Sequence, residues 1–198
     1  MNVLRRYFCT GTLTTLSLAL LLVPARAQVD PSAYGPGHSL WVGAEYSNIS
    51  ASFPYQSGQR LQGVGVFADF HVNYRLGFAG VARFLPSGGF EGSTESSYLA
   101  GPKIFFFAKG RFQPYGKMLV GVGRIHYPFA IGNASYLALA PGAGAEYRIS
   151  GRGRWMLLFD YEYQLWHDSP GYTNVPNHEL TPNGFHVGVA YGISRERR

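Results

Sequence analysis

The chain has 198 residues, room for one domain and hardly two. Charged residues make up 14%, well below the roughly 25% of ordinary soluble domains, while aromatics reach 16% and mean hydropathy is -0.06. The formal charge of +6 comes without a continuous basic patch interleaved with aromatics, which argues against a nucleic-acid partner, and the single cysteine, Cys9, excludes a disulfide framework.

The first 27 residues carry Arg5 and Arg6, an apolar run and then Ala25-Arg26-Ala27. This is the pattern of a secretory signal with cleavage after Ala27. An N-terminal membrane anchor is the alternative, but the apolar run is short and ends on small residues. Cys9 lies inside this segment and away from the cleavage point, so the exported chain would hold no cysteine. Removing Arg5, Arg6 and Arg26 leaves 14 basic residues against 11 acidic, or +3. A leader of residues 28–37 follows. No later run reaches the roughly 18 apolar residues of a membrane helix, so a spanning chain would have to cross as strands.

From residue 38 onward, period-two alternation recurs in eight segments, at about 38–48, 61–71, 75–85, 97–107, 113–125, 135–148, 155–166 and 184–193. Segments of this length, separated by turn chemistry and with no helical period, predict antiparallel β structure. The connections alternate between short ("VNY", "AKGRF", "SGRGR") and long stretches rich in Gly, Ser, Pro and Asn. Short turns at one end and long loops at the other are the mark of an up-and-down transmembrane barrel, with both termini on the periplasmic side.

Parity then sorts the side chains. One face carries residues such as Val42, Tyr46, Val64, Phe84, Tyr98, Val120, Leu137, Phe159, Tyr161 and Val187. The other carries Glu45, Asp69, Arg83, Lys103, Lys117, Glu146, Arg148, Asp160 and Glu162 among many glycines. A soluble ligand-binding barrel would turn the bulky face inward, where a small barrel has little space. The inverted barrel turns it to lipid and keeps small residues and charges inside. Tyr46, Tyr98, Tyr136, Tyr147, Trp155, Tyr163, Trp166 and Tyr191 fall near segment ends and are expected to form interfacial girdles. The nine inner charges are expected to pair across the lumen, since isolated buried charges are costly. Such a network would either fill the barrel and fix its register or line a gated ion path.

The stretches "SYLAGPKIFF" (97–106) and "LTPNGFHVGVAYGI" (180–193), with the eight segments and their connections, resemble the eight-stranded outer-membrane barrel superfamily, in particular the transmembrane domain of OmpA-like proteins. The resemblance covers about residues 38–193 and implies an all-β, eight-stranded antiparallel barrel in the outer membrane, reached through the periplasm. It further implies a monomer that meets outer-membrane lipid and lipopolysaccharide, periplasmic chaperones and the barrel-assembly machinery. Family members of this size are anchors, small pores, adhesins or surface proteins. Such barrels usually end on an aromatic residue; here Tyr191-Gly192-Ile193 is followed by the charged tail 194–198, "SRERR".

Candidate chemistry is sparse. The segment 167–179 resembles lipid A deacylase barrels, which would make Ser169 a nucleophile activated by His167 with Glu179 as the acid. That family places Asn after the serine, where this chain has Pro170, and an ordinary polar loop explains the same residues. His71 and His186 are candidates for the inner face, but no spacing provides a third metal ligand. "GVGVFADF" and "GAGAEY" lack the helix that a nucleotide loop needs. "NAS" (133–135) is a glycosylation acceptor pattern that carries little weight here. The chain is therefore read as a non-enzymatic barrel without cofactor or metal, with a structural or surface-interaction role and at most a narrow conducting lumen.

Overall fold

The computed structural model describes residues 39–53, 56–87, 94–107, 110–127, 132–149, 154–168 and 180–193. The segments read as signal (1–27), leader (28–37) and tail (194–198) lie outside these residues, as do Ser169 and Glu179. The strand segments, in chain order, are β1 (Ser39–Phe53), β2 (Gln56–His71), β3 (Leu76–Ser87), β4 (Thr94–Phe105) and β5 (Phe112–Tyr127). They continue with β6 (Gly132–Arg148), β7 (Trp155–Tyr163), β8 (Leu165–Asp168) and β9 (Asn183–Gly192). Sequence neighbours pair antiparallel from β1 to β6, β6 pairs with both β7 and β8, β7 pairs with β9, and β9 returns to β1. β7 and β8 are two stretches of one strand separated by Gln164, so among the described residues the strands close into a ring of eight staves. Closure matters physically: in lipid every backbone N–H and C=O needs a partner within the protein.

The start of β1 and the end of β9 lie side by side, with Trp41 opposite Gly192. The connections 72–75, 106–111 and 149–154 join strands at that same end, the one expected to face the periplasm. In the first of them Asn73 Oδ1 accepts from the backbone N–H of Arg75 and of Leu76, both at 2.8 Å, which closes the turn locally. In the second, Gly110 has φ 122°, a conformation that side chains oppose.

The apolar parity faces outward, as alternation predicts. Val64 is 63% exposed and Phe159 57%, while their strand neighbours Gly65 and Asp160 are buried. On β5 the outward apolar row runs from Phe112 to Val122 and ends at Arg124. On β6 it runs from Tyr147 to Leu137 and ends at Ser135. Ten residues at about 3.3 Å each, on a strand tilted about 40°, give a band about 25 Å high, the thickness of the hydrocarbon belt of such barrels. A continuous apolar belt of this extent would not survive in water.

Two expectations needed correction. The ladders run further than the alternation: β1 continues to Phe53 and β2 starts at Gln56, so most of the connection expected to be a long loop is paired strand. Hydropathic alternation marks only the part of a strand that meets lipid. Above it the outward positions are Asn48, Ser50, Arg60 and Gln62, and the ladder persists without an apolar signal. Second, Tyr136 and Trp166 do not join the girdle. Both point inward and are buried, with ring centroids 5.5 Å apart. Their parity is that of Ala138 and Gln164, and parity decides the face even near a strand end.

Placing Arg at Phe159, in the middle of the outward row of β7, should lower folding stability in phospholipid vesicles by about 2–4 kcal/mol. Equilibrium urea unfolding in vesicles measures it; an unchanged midpoint would show that this face does not meet lipid.

Candidate functional site

The inward parity places all nine sequence-selected charges along the lumen, where they divide into two clusters and an outlier. The first cluster centres on Glu162 of β7. Arg83 of β3 reaches across the barrel and donates Nη1 and Nη2 to its two carboxylate oxygens, both at 2.7 Å. The same guanidinium donates Nε to Glu45 of β1 at 2.5 Å. Lys117 of β5 bridges Glu162 at 2.5 Å and Asp160 at 2.7 Å. Tyr115 Oη also donates to Asp160, at 2.8 Å. Above Glu162, Gln164 Nε2 donates to its Oε2 at 3.2 Å, and the Gln164 carbonyl accepts from Trp166 Nε1 at 2.8 Å. The interruption between β7 and β8 thus falls on a residue whose side chain ties the charge cluster to the indole above it.

The second cluster lies nearer the periplasmic end. Lys103 of β4 donates to Asp69 at 2.9 Å and to Glu146 at 2.6 Å. Its ammonium stands 3.8 Å from the centre of the Tyr115 ring, a close cation–π contact. Arg148 stands apart at the periplasmic mouth, donating to Gln113 at 3.3 Å and lying 5.7 Å from the Trp41 ring centre.

Each cluster carries one more carboxylate than cation, and each has a histidine beside the surplus. His71 lies 3.4 Å from Glu146, and His186 lies 3.7 Å from Glu162 and 3.9 Å from Glu45. His186 Nδ1 also meets Ser47 Oγ at 2.8 Å. Ligand atoms of Asp160, Glu162 and His186 lie within 4.8 Å of one another, the geometry of a metal site. Both carboxylates are already held by Lys117, and Glu162 by Arg83 as well, so the protein's own cations occupy that role.

The network is dry. The side chains of Arg83, Lys103, Glu146, Asp160 and Glu162 are at most 1% exposed, and Lys117 reaches only 5%. Apolar side chains close the lumen around it: Ile49, Leu61 and Leu85 form one cluster on the outer side. Trp41, Phe67, Leu119, Met156, Leu158 and Trp166 belong to a second. Inward glycines make this filling possible. A methyl group on Gly43 would stand 2.7 Å from Phe67 Cζ, and one on Gly123 would collide with the Trp166 ring.

Sequence reasoning passed over Glu95, whose side chain is buried at the inner face beside Ser97. Among the described residues neither of its carboxylate oxygens has a hydrogen-bond partner. Its parity matches that of Lys103, but it precedes the alternating stretch that begins at residue 97. Tyr115 and Gln164 were also passed over as network members, since a polar aromatic or an amide gives no charge signal. His167 is exposed on the outer side of β8, opposite Leu137 of β6, as its parity implies. Ser169 and Glu179, the other members of the enzyme-like trio, lie outside the described residues.

A closed antiparallel ring with an apolar belt and a polar, filled lumen defines a transmembrane β-barrel. The chain matches the family model of the outer membrane protein beta-barrel domain over residues 14–192 and belongs to that family. Among solved structures, it is similar to Neisserial surface protein A, with 15% identity, 77% of this chain and 96% of that one covered, and a TM-score of 0.60. It is also similar to Ail, the attachment invasion locus protein of Yersinia pestis, crystallised with a heparin analogue, at 18% identity, 79% and 97% coverage and a TM-score of 0.51. The outer membrane protein AlkL, solved in lipid bilayers, follows at 13% identity, 82% and 93% coverage and a TM-score of 0.50. At these identities the likeness concerns the fold. Comparison with curated protein sequences gives no significant match.

Because Glu162 answers two cations, Glu162→Gln should cost about 3–5 kcal/mol of stability in vesicle-based urea unfolding. The packing argument has its own test. Gly123→Val should destabilise by about 1–3 kcal/mol, and Trp166→Ala in the same chain should relieve part of that loss, giving a non-additive cycle.

Proposed function

We propose that this barrel is a closed, non-conducting element of the outer membrane whose role is structural and surface-directed. The observation that carries the reading is the burial of the lumen charges: the paired side chains are at most 5% exposed, and apolar clusters fill the lumen beside them. A conducting path needs hydrated groups along its length, and here each buried cation is held by two carboxylates. Opening a path would require several buried pairs to be separated, each at a cost of several kcal/mol.

The surface-directed part rests on the outer end. From Tyr46 to Phe53 the β1–β2 ladder continues for seven residues beyond the apolar belt, and Tyr46 Oη donates to Gln62 at 3.0 Å at its base. At about 3.3 Å per residue and a tilt of about 40° this hairpin rises roughly 18 Å above the hydrocarbon. It stands as a paired hairpin above the membrane, with Asn48, Ser50, Arg60 and Gln62 on its outward side. Two of the similar structures are, by name, a surface protein and an attachment protein, which fits a role at this face. In this reading the barrel works as a monomer. Its partners are membrane lipid and lipopolysaccharide at the wall, and chaperones and the barrel-assembly machinery during export. No catalytic step is assigned to it.

Planar-bilayer recording of the refolded protein tests the reading. Barrels with heat-modifiable gel mobility should give no discrete conductance steps, and Glu162→Gln or Lys103→Met should introduce them only if folding survives. Steady channels from the unaltered protein would overturn the closed-lumen reading.

A further inference from the structure

The periplasmic rim carries a repeated feature. Arg75, Arg111 and Arg154 each occupy the position directly before a strand that rises from that rim, namely β3, β5 and β7. The backbone carbonyl of each accepts a hydrogen bond at 2.8 Å from the neighbouring strand end: Phe105 to Arg75, Arg148 to Arg111 and Gly192 to Arg154. The three arginines are therefore fixed to the ladder, yet their side chains are exposed. Each also adjoins an exposed aromatic residue, Tyr74, Phe112 and Trp155 respectively. At Arg154 the arrangement is explicit. Its Nη1 donates to Tyr191 Oη at 2.9 Å, and Trp155 packs edge-on against the same Tyr191 ring with centroids 5.3 Å apart.

Charge is distributed unevenly between the two ends. The connections 72–75, 106–111 and 149–154 contain Arg75, Lys109, Arg111, Arg152 and Arg154 and no acid, a balance of +5. The opposite connections, 54–55, 88–93, 128–131 and 169–182, contain Glu91 and Glu179 and no Lys or Arg, a balance of -2. Arg60 and Arg124, exposed in the outer halves of β2 and β5, stand on separate strands.

We propose that the periplasmic rim is a binding ledge for the anionic headgroups of inner-leaflet phospholipids, one phosphate to each of Arg75, Arg111 and Arg154. A guanidinium matches a phosphate in planar, bidentate fashion. The aromatic beside each one sits where amphipathic rings mark the headgroup level. Successive arginines are two strands apart, at least about 10 Å along the rim, so each serves a separate headgroup. Lipid is the occupant rather than a soluble polyanion because the arginines are level with the lower border of the apolar belt, where Phe112, Trp155 and Tyr191 meet acyl chains. The inference rests on the barrel spanning the membrane, and it adds the lipid class and the residues that select it.

The three tryptophans of the chain supply the readout. Trp155 is 52% exposed beside Arg154, whereas Trp41 and Trp166 are buried at 6% and 1%. The folded protein is reconstituted in phosphatidylcholine vesicles containing the same fraction of either dibrominated phosphatidylglycerol or dibrominated phosphatidylcholine, and tryptophan quenching is compared. The anionic lipid should occupy the site beside Trp155 about threefold more than the zwitterionic one at low salt. The preference should fall towards parity at about 1 M salt. It should also fall towards parity in Arg154→Gln and be kept in large part by Arg154→Lys. Equal quenching by the two lipids at low salt would overturn the proposal, and so would a preference that Arg154→Gln leaves intact while folded gel mobility is normal. Quenching by neither lipid would instead overturn the membrane reading on which the proposal rests.

Discussion

The bidentate pair between Arg83 and Glu162 holds the barrel across its diameter. Arg83 projects from β3 and Glu162 from β7, strands that share no ladder, so their two 2.7 Å hydrogen bonds join opposite walls. The rest of the interior is arranged around that join. Glu45 and Lys117 answer the remaining charges, Gln164 carries the network to Trp166, and glycines on facing strands clear space for the aromatic side chains. A pair of this kind is not a guaranteed gain over a hydrophobic core of equal volume. Its second effect is on register. A one-residue slip of β7 would put Glu162 into lipid and Tyr161 into the lumen, so the ion pairs penalise wrong pairings more than they favour the right one.

This logic also accounts for stability in a barrel whose strands contain no cysteine, the only one being Cys9. The outward residues contribute little against unfolding into lipid, because acyl chains are as apolar as they are. What distinguishes the native ring is the closed backbone ladder and a lumen that buries paired charges together with rings such as Phe67, Tyr115 and Trp166. In the proposed reading, the same filling excludes the water that a pore would need. Structure and proposed role therefore follow from one feature, with interaction left to the projecting outer hairpin and to the basic periplasmic rim.

Much of this was legible in the sequence, because a barrel wall one strand thick makes side-chain facing a matter of odd and even numbers. Parity alone placed Glu45, Asp160 and Glu162 inside and Val64, Phe159 and Val187 outside. It was less informative where lipid no longer imposes alternation. The continuation of β1 and β2 past Asn48 and Leu61 left no apolar trace, and Glu95 fell just before the stretch whose pattern was readable. Tyr136 and Trp166 were misplaced because nearness to a strand end was weighed above parity. Which acid meets which base lay beyond the sequence, since Arg83 and Glu162 are brought together by closure of the ring and by strand tilt, neither of which local spacing encodes.

The central claim is that the lumen of the folded barrel excludes water. Cysteine accessibility tests it most directly, in a chain with Cys9 replaced so that no other thiol is present. Ser47→Cys introduces a thiol at a fully buried position beside His186, and Arg60→Cys supplies an exposed control above the membrane. With the barrel folded in vesicles, a small water-soluble thiol reagent should modify position 60 promptly and leave position 47 untouched until urea unfolds the chain. Modification of position 47 at the rate of position 60 in the folded state would mean that water and solutes pass where the structure places a sealed ion-pair core.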